Sequence, residues 1–276
     1  MTQANMTTFS KAMNAQLQTS EEVCEKHGIN LIYLANAPDK ATCFACTKET
    51  VDKQTQQMAE KASREHHKRT TYAWLTKHSV FLDDTLKRAT FDNFQTTDTE
   101  TEHNKQLALA IARRYYKGAN NNTILTGKAG TGKSHLSMAM LQVVNEHSEP
   151  YRKCLFVSLD ELMRRIKDSF NNKQSYYTEQ RMIDLLTEAD LLVLDDLGAE
   201  TGAVTTDRTA TDFTTRTLYA IINGRMNKPT IITTNLNSKD MAKMYDSKLI
   251  SRMFRGAEGH IIKFEKRNDK RRTIEF

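Results

Sequence analysis

The chain of 276 residues is long enough for one large α/β domain, or for one sizeable core with a small second unit. Its 10 Gly and 3 Pro are too few for a turn-rich all-β fold or a Pro/Gly linker protein. There is no run of about 18 apolar residues and no apolar h-region within Met1 to Ser20, so the expectation is a cytoplasmic protein with no membrane partner. A formal net charge of +6 permits binding to nucleic acid or to an acidic partner without demanding it.

Residues 1–78 are polar, rich in helix formers, and predicted to form a small helical N-terminal domain. The run from Lys48 to Arg69 reads as an exposed helix or helical hairpin. Cys24-x2-His27 and Cys43-x2-Cys46, separated by fifteen residues, are two ligand pairs of the kind that close a tetrahedral zinc site. Three thiolates and one imidazole leave no open position for water, so the ion would be structural. A unit poor in large apolar side chains gains most from such a staple. The alternative is that one or more of the four is an ordinary surface or core residue, as Cys154 is in its apolar strand. Four cysteines in a reducing compartment do not point to disulfides, and His66-His67, lacking a second pair, reads as exposed.

Residues 79–100 are expected to be a linker and entry segment, with an aromatic-bearing turn at Ala89 to Phe94, and residues 101–276 the main domain. Glu102 to Tyr116 has apolar residues at helical spacing and ends before Gly118, a good C-cap. Strands and helices then alternate. Thr123 to Thr126 is a short apolar strand, Lys133 to Glu146 a helix, Cys154 to Val157 a second strand, and Ser158 to Glu161 has capping-box spacing for a helix reaching about Phe170. Leu191 to Leu194 is a third strand ended by two aspartates, Thr217 to Arg225 a helix, Thr230 to Thr234 a fourth strand and His260 to Phe264 a fifth. Such alternation indicates an α/β layer with a largely parallel sheet.

Gly127-Lys-Ala-Gly-Thr-Gly132-Lys133-Ser134 fits G-x-x-x-x-G-K-[ST] at every fixed position and lies between a strand and a helix, where that motif works. Glycines at Gly127, Gly130 and Gly132 let Lys128, Ala129 and Thr131 wrap their backbone amides around phosphate oxygens at the helix N-terminus. Lys133 would then reach the β- and γ-phosphates of ATP, and Ser134 would hold Mg²⁺. Leu191-Leu-Val-Leu-Asp195-Asp196 delivers acids at the carboxyl end of a strand, where open α/β sheets bind ligands. Asp195 is the expected Mg²⁺ carboxylate, and Asp196 is placed to orient or deprotonate the attacking water. Asn235, ending the fourth strand, either holds that water or the γ-phosphate, or caps the next turn. Ser251-Arg252-Met-Phe-Arg255 offers two arginines able to stabilise a phosphoryl-transfer transition state.

The segments GKAGTGKSHLSMA, LLVLDDLGAE, IINGR, TIITTNL and SRMFR occur in an order that resembles the AAA+ ATPases of the bacterial and phage replicative helicase loader group, the DnaC/DnaI-like proteins, over about residues 88–276. The resemblance implies a P-loop fold with a five-stranded parallel sheet flanked by helices, and an AAA+ ATPase domain over 101–276. It also implies ATP bound between neighbouring subunits, hence self-association through that domain. By the same resemblance Gly127 to Ser134 is Walker A, with His135 next in the nucleotide-contacting stretch; Asp195 and Asp196 are Walker B, Asn235 is sensor 1, and Arg252 is the finger acting on a neighbour's ATP, with Arg255 as fallback. Arg271 or Arg272 is a candidate sensor 2, unless the basic tail is simply solvated or faces DNA. The position after the Walker B aspartate is usually glutamate; Asp196 is one methylene shorter, so ATP hydrolysis is expected to be slow.

The resemblance further implies that the N-terminal unit grips a hexameric replicative helicase and that the ATPase domain contacts single-stranded DNA. Arg164, Arg165 and Lys167, with Phe170, Tyr176 and Tyr177, combine charge with stacking groups suited to single strands, or else form a solvated face and core anchors. The leading expectation is an ATP-dependent helicase loader. A transposition helper ATPase and a nonhydrolysing ATP-bound adaptor are the alternatives. An origin-binding initiator is disfavoured by length, since 41 residues after Asn235 are too few for a lid and a helix-turn-helix domain.

Overall fold

The computed structural model describes residues 17–172, 174–199 and 212–265. It divides into two compact units, residues 1–66 and 67–276.

In the first unit, strands β1 (Leu17–Val23), β2 (Asn30–Leu34) and β3 (Ala37–Thr42) form an antiparallel sheet in that order. A single 24-residue helix, α1 (Phe44–His67), follows it and buries none of its residues. The helix is where the sequence places one, as one element rather than a hairpin. The sheet is not foreseen in the small helical domain expected here, because β1 (LQTSEEV) and β3 (APDKAT) carry almost no apolar alternation that would mark them as strands. Pro38 is tolerated because β3 is an edge strand.

The second unit runs from residue 67, and residues 79–100, expected to be a linker and entry segment, pack within it. Val80 bridges Val157 in parallel: its N–H donates to the Phe156 carbonyl (2.8 Å) and its carbonyl accepts from Ser158 N (2.8 Å). Leu75, Val80, Ala89, Phe91 and Phe94 are all buried, and Phe81 stacks on Phe156 at 4.9 Å. Short helix α2 (Trp74–His78) leads into this segment. Asp98 then caps α3 (Thr99–Tyr116) through a capping box with Thr101, starting the helix three residues before the expected Glu102.

The sheet has five parallel strands in the order β5-β6-β7-β4-β8, as the fold class requires. They are β4 (Thr123–Gly127), β5 (Cys154–Ser158), β6 (Leu191–Leu197), β7 (Thr230–Thr234) and β8 (Ile261–Phe264). Helices cover both faces, which is why the strands read as continuous apolar runs. Along β6, Leu191 and Val193 pack with α3 and with α4 (Lys133–His147), while Leu192 and Leu194 face the opposite layer. That layer contains α5 (Leu159–Asp168), α6 (Glu179–Glu188), α7 (Asp212–Gly224), α8 (Ser238–Met244) and α9 (Ser247–Met253). Because β4 lies between β7 and β8, the glycine loop leaves the sheet interior beside the carboxyl end of β7.

Candidate nucleotide and metal sites

The glycine cluster is built as its composition demands. Gly127, Gly130 and Gly132 have φ of +148°, +74° and +99°, values that residues with a Cβ rarely adopt. A Cβ on Gly127 would sit 2.5 Å from the Phe264 carbonyl oxygen, and one on Gly132 would sit 2.8 Å from the Phe94 ring. The hydroxyl of Thr131 donates to the Lys128 carbonyl at 2.9 Å and closes the loop at the N-terminus of α4. Lys133 Nζ donates to the carbonyls of Gly127 (2.8 Å) and Lys128 (2.7 Å) and to Asn235 Oδ1 (2.6 Å).

Opposite the loop, β6 is irregular. Leu194 pairs with Ile232, but the next pair is Leu197 with Thr234, so three residues of β6 advance against two of β7. The extra residue falls at the acid pair, and Asp196 adopts φ +61°. Consecutive residues of a regular strand point to opposite faces. Here both aspartates serve one site: Asp195 lies close enough to the Ser134 side chain for it to favour the carboxylate, and Asp196 Oδ1 accepts from Asn235 Nδ2 at 2.8 Å. Asn235 thus joins Lys133 to Asp196. Burial pushes the Asp195 carboxyl up to about 6, while the hydrogen bond from Thr233 and the Ser134 side chain pull it down. A buried carboxylate beside a serine hydroxyl and the lysine ammonium is an oxygen-rich set that suits a hard cation such as Mg²⁺.

Among the other residues named from the sequence, Arg252 lies away from this cluster. Its carbonyl and that of Met253 accept from Asn122 Nδ2 just before the first residue of β4, the end opposite Gly127. Four steps of strand, about 13 Å, separate those ends, and the Arg252 guanidinium lies over the Tyr219 ring. Arg255 donates to the carbonyls of Asn120 (2.8 Å) and Lys228 (3.5 Å), which occupies it at the base of the sheet. His135 Nε2 lies 2.9 Å from the Thr90 carbonyl and its ring meets Phe94 edge-on, so His135 braces the entry segment against the loop. Arg164 and Arg165 both pair with Glu161, and Arg165 also donates to the Tyr177 hydroxyl, while Lys167 and Phe170 are exposed. Arg271 and Arg272 lie outside the described residues.

In the N-terminal unit, Cys24, His27, Cys43 and Cys46 converge, with donor atoms within 4.8 Å of one another. The turn from Cys24 to Ile29 is closed by Cys24 N to Ile29 O (2.9 Å) and Gly28 N to Cys24 O (2.8 Å), while Cys43 and Cys46 flank the start of α1. His27 Nδ1 lies 3.7, 3.6 and 3.3 Å from the sulfurs of Cys24, Cys43 and Cys46, and the Cys24 and Cys46 sulfurs are 3.7 Å apart. A tetrahedron with metal–sulfur bonds of about 2.3 Å has edges of about 3.8 Å; these four separations lie near that value, and all donor pairs lie within 4.8 Å. His27 Nε2 lies 3.0 Å from Glu49 Oε1, which turns Nδ1 toward the sulfurs. Glu49 carries no motif of its own, although it lies one helical turn after Cys46. Thr233 and Phe94 are equally unmarked in the sequence: one is a strand residue two positions before Asn235, the other a ring in a segment expected to be linker.

A glycine loop between strand and helix, an acid pair on a neighbouring parallel strand and a polar residue ending the strand between them define a P-loop nucleotide-binding protein of the AAA+ fold. The profile described as IstB-like ATP binding protein matches residues 29–269, and the chain belongs to that family. Replicative helicase loader DnaC of Escherichia coli strain K12 is 28% identical over 172 residues, 60% of this chain and 63% of that protein. The match therefore spans less than two thirds of that relative's length. Two solved structures share the fold: DnaI, 22% identical, covers 68% of this chain and 95% of its own with a TM-score of 0.51. AMPPCP-bound DnaA from Aquifex aeolicus, 21% identical, covers 70% and 54% with a TM-score of 0.50. No helix among the described residues is long and apolar enough to cross a membrane.

Proposed function

We propose that the chain is an ATP-dependent loader that binds a hexameric replicative helicase and helps place it on single-stranded DNA, with ATP binding and slow hydrolysis as the switch. The observation that carries this reading is the convergence of Lys133, Ser134, Asp195, Asp196 and Asn235 on one end of the sheet, in a chain similar to a helicase loader.

In this reading the loop amides from Gly127 to Ser134 bind the β- and γ-phosphates, and Lys133 exchanges its loop carbonyls for them. Ser134 and Asp195 would hold Mg²⁺, which supplies charge neutralisation at the phosphates. Asp196 and Asn235 orient the attacking water. The short Asp196 side chain, tethered by Asn235, keeps turnover slow. Arg252, too far from its own loop, acts on the nucleotide of a neighbouring copy, which calls for self-association through the ATPase domain.

Zinc in the Cys24, His27, Cys43 and Cys46 cluster would staple the N-terminal unit, which contacts the helicase. With Arg164 and Arg165 held by Glu161, the exposed Lys167 and Phe170 are the better candidates for touching the single strand.

Pull-down of the full chain with a hexameric replicative helicase, with and without ATP, tests the reading. Capture that changes with ATP is expected. Failure to retain helicase in either condition, with retention of a transposase instead, would overturn it in favour of the transposition reading.

A further inference from the structure

The motifs name Asp195, Asp196 and Asn235 but pass over the residue that touches both aspartates. Thr233 is fully buried on β7. Its Oγ1 donates to Asp195 Oδ1 at 2.7 Å and accepts from the Asp196 N–H at 2.8 Å. A hydroxyl has a single proton. With that proton committed to Asp195, its lone pair faces the Asp196 amide, so a single orientation of the hydroxyl serves both partners.

The contact falls at the β6 bulge, where the ladder between Leu194–Ile232 and Leu197–Thr234 is interrupted. There Asp196 is the one non-glycine residue at positive φ among the described residues. The neighbouring threonine has a separate role. Thr234 Oγ1 donates to the Leu197 carbonyl (2.8 Å) and accepts from Leu236 N (3.1 Å), a main-chain latch that leaves the acids alone.

We propose that Thr233 is the positioning residue of the acid pair: one hydroxyl fixes the Asp195 carboxylate for Mg²⁺ beside Ser134 and holds the Asp196 backbone in the conformation that brings its side chain to Asn235. The proposal rests on the nucleotide-site reading above and deepens it. By this account the second aspartate is usable only because the strand carries an extra residue there, and the Thr233 hydroxyl bridges the bulge. Valine has the same branched shape in a strand but offers neither donor nor acceptor. Serine offers both.

The test is the affinity of the full chain for a fluorescent ATP analogue, measured across a Mg²⁺ titration and again in EDTA. Thr233→Val and Thr233→Ala each remove the hydroxyl, so one folded truncation suffices, as judged by circular dichroism. Either is expected to need about tenfold more Mg²⁺ for half-maximal tightening, the scale on which partners of metal ligands act. Both should match wild type in EDTA, and Thr233→Ser should restore the wild-type titration. A mere packing role would weaken binding equally with and without the metal. A folded truncation with the wild-type Mg²⁺ requirement, or a serine variant that fails to restore it, overturns the proposal. Failure of the wild-type chain to bind the analogue would instead remove the nucleotide reading, and the proposal with it.

Discussion

Arg225 is 2% exposed, yet its guanidinium donates to the carbonyls of Leu186 (2.6 Å), Ala189 (2.7 Å) and Pro229 (2.7 Å) and to the Thr230 hydroxyl (3.1 Å). Lys228 Nζ takes the carbonyls of Thr187 (2.9 Å) and Glu188 (2.8 Å). Between them, two cations satisfy four successive carbonyls at the C-terminus of α6, where a helix leaves such groups unpaired and its dipole favours positive charge. The IINGR segment, one of those that carry the family resemblance, is therefore structural in this chain. Arg225→Met should destabilise the protein by about 3 kcal/mol or more in urea unfolding, because the carbonyls stay buried without donors. Gly132→Ala is expected to cost about 1–3 kcal/mol and to abolish nucleotide binding, since both the φ of +99° and the Phe94 ring oppose a Cβ. Thermal unfolding together with analogue binding reads both effects; a stable alanine variant that binds normally would contradict the loop geometry.

The five strands of the main sheet are legible in the sequence because each is a short, largely apolar run between turn signals; β5, β6 and β7 are buried nearly throughout, whereas the edge strand β8 alternates exposed and buried residues. The β6 bulge is not, since nothing in LLVLDDL marks which residue is extra; the pairing with β7 decides it. Two strands of the N-terminal sheet are equally hidden by their polar composition. The nucleotide cluster is readable residue by residue because its motif fixes both spacing and chemistry, whereas Thr233 and Glu49 act through other side chains and carry no spacing signature. In α5, much of the basic face is internally paired. Arg164, opposed by partial burial and assisted by Arg165, holds the Glu161 carboxyl below the usual carboxylate range. A pKa lowered on folding adds stability above the ordinary glutamate range, and that contribution is lost as pH falls through the depressed value. Urea midpoints measured from neutral pH into the acid range should therefore fall less steeply for Glu161→Gln than for wild type. Parallel curves would rule out the pairing as a source of acid sensitivity.

As a whole, the molecule divides its work between two kinds of cohesion. The second unit buries two apolar layers against its sheet. The described part of the N-terminal unit buries little: α1 has no buried residue, and of the four clustered donors only Cys43 is buried. If zinc staples this unit as proposed, freshly purified protein should contain about one zinc per chain. Cys43→Ser should lose that zinc and the protease resistance of residues 17–66 without altering ATP binding. A zinc content near zero would contradict the staple. The central claim is that the cluster of Lys133, Ser134, Asp195, Asp196 and Asn235 is an ATP site that hydrolyses slowly, and steady-state ATP turnover by wild type beside Lys133→Ala and Asp195→Ala tests it most directly. The account predicts slow turnover by the wild-type chain that both substitutions abolish; wild-type turnover in either variant would contradict it.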